Sequence, residues 1–439
     1  MLRLNRLRHF ATDAVAYNRN GEQITVGPKA IKQLSKVGGI SIASYDTAGP
    51  ASSVAVVLKA GSRFDSLDAP GLAHLTKTSL IRNLPNDSAV RTFLDAELRG
   101  NSLYSAVSRE HITFGANFLR DDVVDVVPTL LENALNSQFE TYEFIEAAHG
   151  AVKQTASALS CRHEQVNDKL HQVAFRTGLG NSIYAKKEAV AGLSRSDIKS
   201  FTANQFTEGN IAVVATGVSH SDLKTIVEST LSKLKVQAAA NASVAPSKYF
   251  GGEARIESGP KSTAIYAVAY PGVAFTSPDY YASLVLGALL QGSKSVKRGN
   301  GSGCLGAVGT EDTSVKAFTK SYSDAGLVGF VVEGKTAEIK STVSAAIDAL
   351  KSVSKSISAE ALEGAKKGAI VTLEADLTRA GVIDALGKEA LTGSTLLNIE
   401  AINSVTAADV QKVAASALKS KPSIVASGNT SRLPYADEL

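Results

Sequence analysis

The sequence predicts an α+β protein made of two duplicated domains, each a largely antiparallel sheet with helices packed on one face. Three observations lead there: a long internal repeat, apolar β-branched segments that come in consecutive pairs, and segments of helical periodicity clustered between them.

The repeat is clearest between residues 194–214, SRSDIKSFTANQFTEGNIAVV, and residues 406–426, TAADVQKVAASALKSKPSIVA. Ser194 and Thr406 stand where a helix N-cap is expected, because a side-chain oxygen there satisfies a free backbone N–H. Asp197 matches Asp409, Ile198 matches Val410, Phe201 matches Val413 and Phe206 matches Leu418, and a buried-type strand follows at 211–215 and 423–427. The offset is 212 residues. Residues 111–135 and 326–350 form a second pair at an offset of 215; both read as strand then helix and both end in Ala-Leu. Two segments with nearly one offset indicate duplication.

Between the halves, residues 235–249 (KVQAAANASVAPSKY) are rich in Ala and Ser and have no apolar periodicity, which reads as a linker. The expected division is an N-terminal arm at 1–21, a first domain at 22–234, the linker at 235–249 and a second domain at 250–439. In the first domain, residues 40–45, 53–59, 101–109 and 112–117 read as strands, the last two as a hairpin around Glu110 and His111. Residues 122–135, 142–159, 168–175, 197–206 and 220–234 have helical spacing.

Composition narrows the function. The 439 residues are 44% hydrophobic and 20% charged, an ordinary globular balance, and a net charge of +4 with interspersed signs implies no nucleic-acid surface. Cys161 and Cys304 lie in different halves and form no C-x-x-C pair, so neither a disulfide framework nor a cysteine zinc site is expected. The longest apolar run, 280–290, is shorter than the roughly 18–20 residues of a membrane span, so membrane contact is expected only through partners. Residues 1–12, MLRLNRLRHFAT, carry Arg3, Arg6, Arg8 and His9 with no acid, and Leu4, Leu7 and Phe10 recur at helical spacing, the pattern of a mitochondrial transit peptide.

The segment that ought to carry chemistry is 71–83, GLAHLTKTSLIRN. It resembles the G-x-x-H-x-x-E-H helix of the pitrilysin/insulinase-type metallopeptidases. In that family two histidines one turn apart bind zinc, the glutamate between them is the general base, and a distant glutamate completes the site. Here only His74 matches; Lys77 replaces the base, Thr78 the second histidine and Gln154 the distant glutamate. Lys77 is a charged donor that repels a metal, and Thr78 and Gln154 are weak neutral ligands. The resemblance therefore implies a degenerate remnant, with no catalytic residue, no metal and no cofactor. No serine or cysteine nucleophile motif is present. Residues 301–306, GSGCLG, fit G-x-G-x-x-G, but a polar basic stretch precedes them instead of a buried strand, so a glycine-rich loop is expected and not a dinucleotide site.

The most specific stretch is Val296-Lys297-Arg298-Gly299, then Ala317-Phe318 and residues 321–330, SYSDAGLVGF. It resembles the complex III core-subunit branch of the same family, over roughly residues 30–439. That resemblance implies a structural subunit of the quinol–cytochrome c oxidoreductase, peripheral on the matrix side of the mitochondrial inner membrane. It implies a heterodimer with core protein 1 within a dimeric complex. Cytochrome b, the haem-bearing cytochrome c-reducing subunit, the Rieske protein and the small subunits would be its other partners. The alternative is the non-catalytic α-subunit of the mitochondrial processing peptidase, which binds presequences.

Overall fold

The computed structural model describes residues 31–46, 50–85, 87–234, 236–238, 245–259, 263–291, 303–310, 312–376 and 379–439, together with a two-residue ladder joining β1 (Ala16–Tyr17) to β2 (Gln23–Ile24). The basic segment 1–12 and the Val296–Gly299 tetrad lie outside the described residues, as do the first two residues of GSGCLG and parts of the linker.

The first half runs β3 (Ile31–Val37), β4 (Ile40–Asp46), β5 (Ala51–Leu58), α1 (Leu72–Thr78), α2 (Ala89–Leu98), β6 (Ser102–Val107), β7 (Ile112–Leu119), α3 (Val123–Leu135), α4 (Thr141–Ala158), α5 (Arg162–Phe175), α6 (Lys187–Val190), α7 (Arg195–Gln205), β8 (Ile211–Thr216) and α8 (His220–Leu231). The second runs β9 (Gly252–Glu257), β10 (Ala264–Gly272), α9 (Tyr280–Leu290), β11 (Thr313–Ser321), β12 (Gly326–Gly334), α10 (Thr336–Lys355), α11 (Ala359–Asp376), α12 (Arg379–Thr392), α13 (Ile399–Asn403), α14 (Ala407–Leu418) and β13 (Ser423–Gly428).

Duplication is written into the sheets. The first has the order β3-β4-β8-β5-β7-β6 and the second β9-β13-β10-β12-β11 when read from the matching edge. Each contains one parallel pair, β4 with β8 and β9 with β13, and is otherwise antiparallel. The first domain differs by the added edge strand β3. The repeated helices α7 and α14 start in the same way. Asp197 accepts from Ser194 N at 2.7 Å and Asp409 accepts from Thr406 N at 3.0 Å, reciprocal capping boxes that satisfy otherwise free donors.

Strand alternation sends successive side chains to opposite faces. On β5, Val54, Val56 and Leu58 join a core formed with α3, α4, α7 and α8, through Leu130, Ala151, Phe201 and Val227 among others. On β10, Tyr266 and Val268 do the same with α9, α10 and α14. So each domain's own helices cover one face of its sheet.

The other faces are covered by an exchange. Val166, Leu170 and Ala174 of α5, a first-half helix, pack on Ile265, Ala267 and Val425 of the second sheet. Val382, Ile383 and Leu386 of α12, a second-half helix, pack on Ala55, Val57 and Val214 of the first. At Gly387 an added Cβ would lie 2.9 Å from Val57 Cγ2, so α12 comes as close to β5 as glycine allows. Helix α5 also begins six residues earlier than its apolar spacing suggests, because its first turns, Arg162 to Gln165, are polar and lie at the rim.

Candidate metal centre and the joint between the domains

Helix α1 is one of the shortest in the chain, and an external cap holds it. The buried carboxylate of Asp65 accepts from Gly71 N and Ala73 N, both at 2.9 Å, at the end where helix N–H groups lack partners. Gly71 takes φ +84°, a conformation that suits glycine, and an added Cβ would lie 2.8 Å from Ala185 Cα.

This helix brings His74, Lys77 and Thr78 up to α4, which carries Gln154. Lys77 Nζ donates to Gln154 Oε1 at 2.8 Å, so the residues standing for the general base and the distant ligand bond to each other. Thr78 Oγ1 turns back into its own helix and donates to Leu75 O at 2.8 Å. His74 is buried, and Ala185 N donates to its Nδ1 at 3.1 Å. Burial, with the Lys77 charge as a second cause, holds its imidazole down to about 4 against the opposing hydrogen bond from Gln154. The ring is therefore neutral at pH 7, and because Nδ1 is an acceptor its proton sits on Nε2. Burial also lowers Lys77.

This donor set does not fit zinc. A zinc site wants deprotonated, convergent nitrogen, sulfur or carboxylate ligands. Here one nitrogen of the imidazole is engaged and the other protonated, and an ammonium occupies the position of the base. Among the described residues no three His, Cys, Asp or Glu side chains converge on a metal position. The glycine-rich loop likewise lacks dinucleotide context. Among the described residues the element before it is helix α9 and not a strand, and Cys304 N donates back to Leu289 O at 2.9 Å. Among the described residues no helix is long and apolar enough to cross a membrane.

What the sequence reading did not single out is a polar joint between the halves. Arg63 donates to Glu110 Oε1 at 2.9 Å and to the two Asp324 oxygens at 2.8 and 2.5 Å. Ser323 N and Oγ both donate to Glu110, at 2.9 and 2.5 Å. Asp324 also accepts from Ser247 N in the linker at 2.8 Å. Alongside, Tyr322 OH donates to His171 Nε2 at 2.7 Å while His171 Nδ1 donates to Asn167 O at 2.8 Å, and Lys320 donates to Asn167 Oδ1 at 2.7 Å. Burial and the nearby Arg109 charge hold His171 well below the usual imidazole range. The SYSD stretch is thus the plug of the interdomain joint. The only hint in the sequence was its specificity; nothing in the local pattern points to Arg63 or Glu110.

Comparison with known proteins supplies the wider frame. A profile for insulinase (peptidase family M16) matches residues 41–187, and one described as the peptidase M16 inactive domain matches residues 192–369. The mitochondrial cytochrome b-c1 complex subunit 2 of Cryptococcus neoformans var. grubii is 35% identical over 415 residues, covering 92% of this chain and 94% of that protein. The corresponding protein of Neurospora crassa is 30% identical over 425 residues, covering 94% and 92%. The mitochondrial-processing peptidase subunit beta of Dictyostelium discoideum is 26% identical over 451 residues, covering 97% and 96%. Among solved structures, a chain of complex III2 from Candida albicans, with Inz-5 bound, has the same fold: TM-score 0.80 at 20% identity, covering 92% of this chain and 98% of that one.

Proposed function

The chain belongs to the family of mitochondrial cytochrome b-c1 complex subunit 2, and from that membership we infer its role. It is a structural core subunit of respiratory complex III, a non-catalytic member of the insulinase-type peptidase family that supports the assembly which passes electrons from quinol to cytochrome c. Its partners are core protein 1, cytochrome b, the haem-bearing cytochrome c-reducing subunit, the Rieske protein and the small subunits. The observation that carries this reading is the full-length match to subunit 2 proteins. The processing-peptidase reading rests on a lower identity.

Three finer statements belong to the same proposal. The chain sits peripherally on the matrix side of the inner membrane, since a transit-peptide-like start directs it inward and its contact with the bilayer runs through partners. The residues His74, Lys77, Thr78 and Gln154 are the remnant of a lost zinc site, supported by the Lys77–Gln154 hydrogen bond that now occupies it. The arm, domain, linker and domain divide at 1–21, 22–234, 235–249 and 250–439, supported by the two matching sheets.

A native gel of mildly solubilised mitochondrial membranes, probed for this chain and for reduced b-type haem absorbance, tests the assignment. Co-migration with the haem band is expected. Migration as a haem-free heterodimer in the soluble matrix fraction would instead identify a processing-peptidase subunit.

A further inference from the structure

A cavity of about 630 Å³ lies where the two halves meet. Its walls come from the end of β11, from α9, α11 and α12, and from the segment that follows α12. Leu373, on one side, packs on the second-domain core, and Leu397, on the other, packs on the outer face of the first sheet. Ligand cavities run from about 300 to 1,000 Å³, favour domain boundaries, and combine apolar walls with a few placed polar groups. Here Phe275, Leu284, Leu373, Leu396 and Leu397 supply the apolar wall.

The polar part is concentrated on three consecutive residues, Thr319, Lys320 and Ser321. Strand β11 is the outermost strand of its sheet, so a cavity that passes its open edge reaches both faces, the two hydroxyls on one and the lysine on the other. Thr319 Oγ1 and Ser321 Oγ are buried and have no hydrogen-bond partner among the described residues. Buried hydroxyls ordinarily have one. Lys320 Nζ donates at 2.7 Å to Asn167 Oδ1, a neutral acceptor, and makes no ion pair among the described residues. Glu164 favours its charge from a distance but accepts from Tyr184 OH instead. Burial, with the Arg109 charge as a second cause, lowers the Lys320 ammonium from its usual range, as expected of a charge without a counterion. The other two charges lining the cavity cancel, since Lys388 Nζ donates to Asp384 Oδ2 at 2.6 Å. One positive charge and two hydroxyls are left over beside an apolar wall. Only Thr319 to Tyr322 of this edge line the cavity, a length of about 13 Å at the usual strand rise, which limits the ligand to a small molecule.

We propose that this cavity binds a small amphiphilic carboxylate, its negative charge at Lys320 with Thr319 and Ser321 as further donors, and its apolar chain along Leu284, Leu373 and Leu397. Charge matching sets the valence: one spare ammonium suits one carboxylate. The site is separate from the remnant metal centre and does not rest on the complex III reading.

Decanoate is the probe, titrated calorimetrically into the purified full-length chain, with decanol and decyltrimethylammonium as its uncharged and cationic counterparts. Saturable binding of about one decanoate per chain is expected, with decanol at least tenfold weaker and the cation not bound. Lys320→Met keeps the length of the side chain and removes its charge; it should weaken decanoate at least tenfold and leave decanol unchanged. Leu284→Trp, at a half-buried position, fills the cavity and should abolish binding of both. Thr319→Val with Ser321→Ala should weaken decanoate several-fold. Unchanged circular dichroism and urea midpoints in each variant separate lost binding from lost folding. No saturable decanoate binding, equal affinity for decanol, or binding that survives both Lys320→Met and Leu284→Trp would overturn the proposal. So would saturable binding of a neutral extended peptide that Leu284→Trp blocks and Lys320→Met leaves untouched, which would assign the cavity to strand addition on β11.

Discussion

Replacing Arg63 by alanine tests whether the polar joint holds the two halves together. The side chains of Arg63 and Glu110 are 6% and 7% exposed, so neither charge is solvated, and removing one strands the other. Stranding a buried partner typically costs about 3–5 kcal/mol. The surroundings place this case near the low end. Glu110 keeps two donors from Ser323, and Asp324, 26% exposed, keeps Ser247 N and regains water. The expected loss for Arg63→Ala is therefore about 3 kcal/mol. Arg63→Met combined with Glu110→Gln removes both charges while keeping an acceptor for Ser323, and should recover part of it. The assay is urea unfolding of the purified chain, followed by far-ultraviolet circular dichroism and by tyrosine fluorescence. Coincident curves in the unaltered chain and separated curves in Arg63→Ala would show that the joint couples the domains. A loss under about 1 kcal/mol, or a double variant costing the sum of its parts, would refute the reasoning.

Three further outcomes follow from the geometry. The triple variant Lys77→Glu, Thr78→His, Gln154→Glu should take up about one zinc per chain and lose it to a chelator, as metal analysis would reveal, since those changes rebuild a four-residue ligand and base set; background metal in the variant would mean the helix pair is wrongly matched to the peptidase motif. Stability should fall as the pH drops from 7 to 4.5. His74 and His111 are each held down to about 4 by burial, so the unfolded chain, titrating near 6.5, takes up their protons first. Asp65 opposes them, because burial pushes its carboxyl up to about 7 despite its backbone donors, and acid favours the fold there. His171, held well below the usual imidazole range, acts in the same direction as His74 and His111, so the imidazoles outweigh the one carboxyl and stability falls across that interval; a urea midpoint that rises toward acid would contradict it. Finally, an added Cβ on Gly329 would lie 2.0 Å from Val268 O in the adjoining strand, so Gly329→Ala should cost about 2 kcal/mol or more. An unchanged melting curve would show that β10 and β12 pack less closely than this.

How much of this was legible depends on how local each cause is. The capping boxes of α7 and α14 are complete within four residues, so Ser194 with Asp197 and Thr406 with Asp409 could be matched by eye and carried the duplication. The four residues we propose as the remnant of a metal site were legible through spacing, because His74, Lys77 and Thr78 share one helix and the family pattern points to Gln154. Its present use was not, since the Lys77–Gln154 bond joins residues 77 positions apart. The role of Ser323 and Asp324 was hidden for the same reason, with partners 213 and 261 positions upstream. Val166, Leu170 and Ala174 announce a buried helix face, but periodicity says only that a face is buried and never against which sheet.

The crossing of α5 and α12 has a consequence for the history and handling of this chain. Each half, cut free, would present one sheet face with no cover, so neither half is an autonomous folding unit even though each carries a complete set of strands. Two such halves would recognise each other as a pair of interlocked hands does, and fragments split at the connecting segment should reassemble from separate solutions. The arrangement has the geometry of a domain-swapped dimer carried in one polypeptide, each half covering the other's sheet with its own helix.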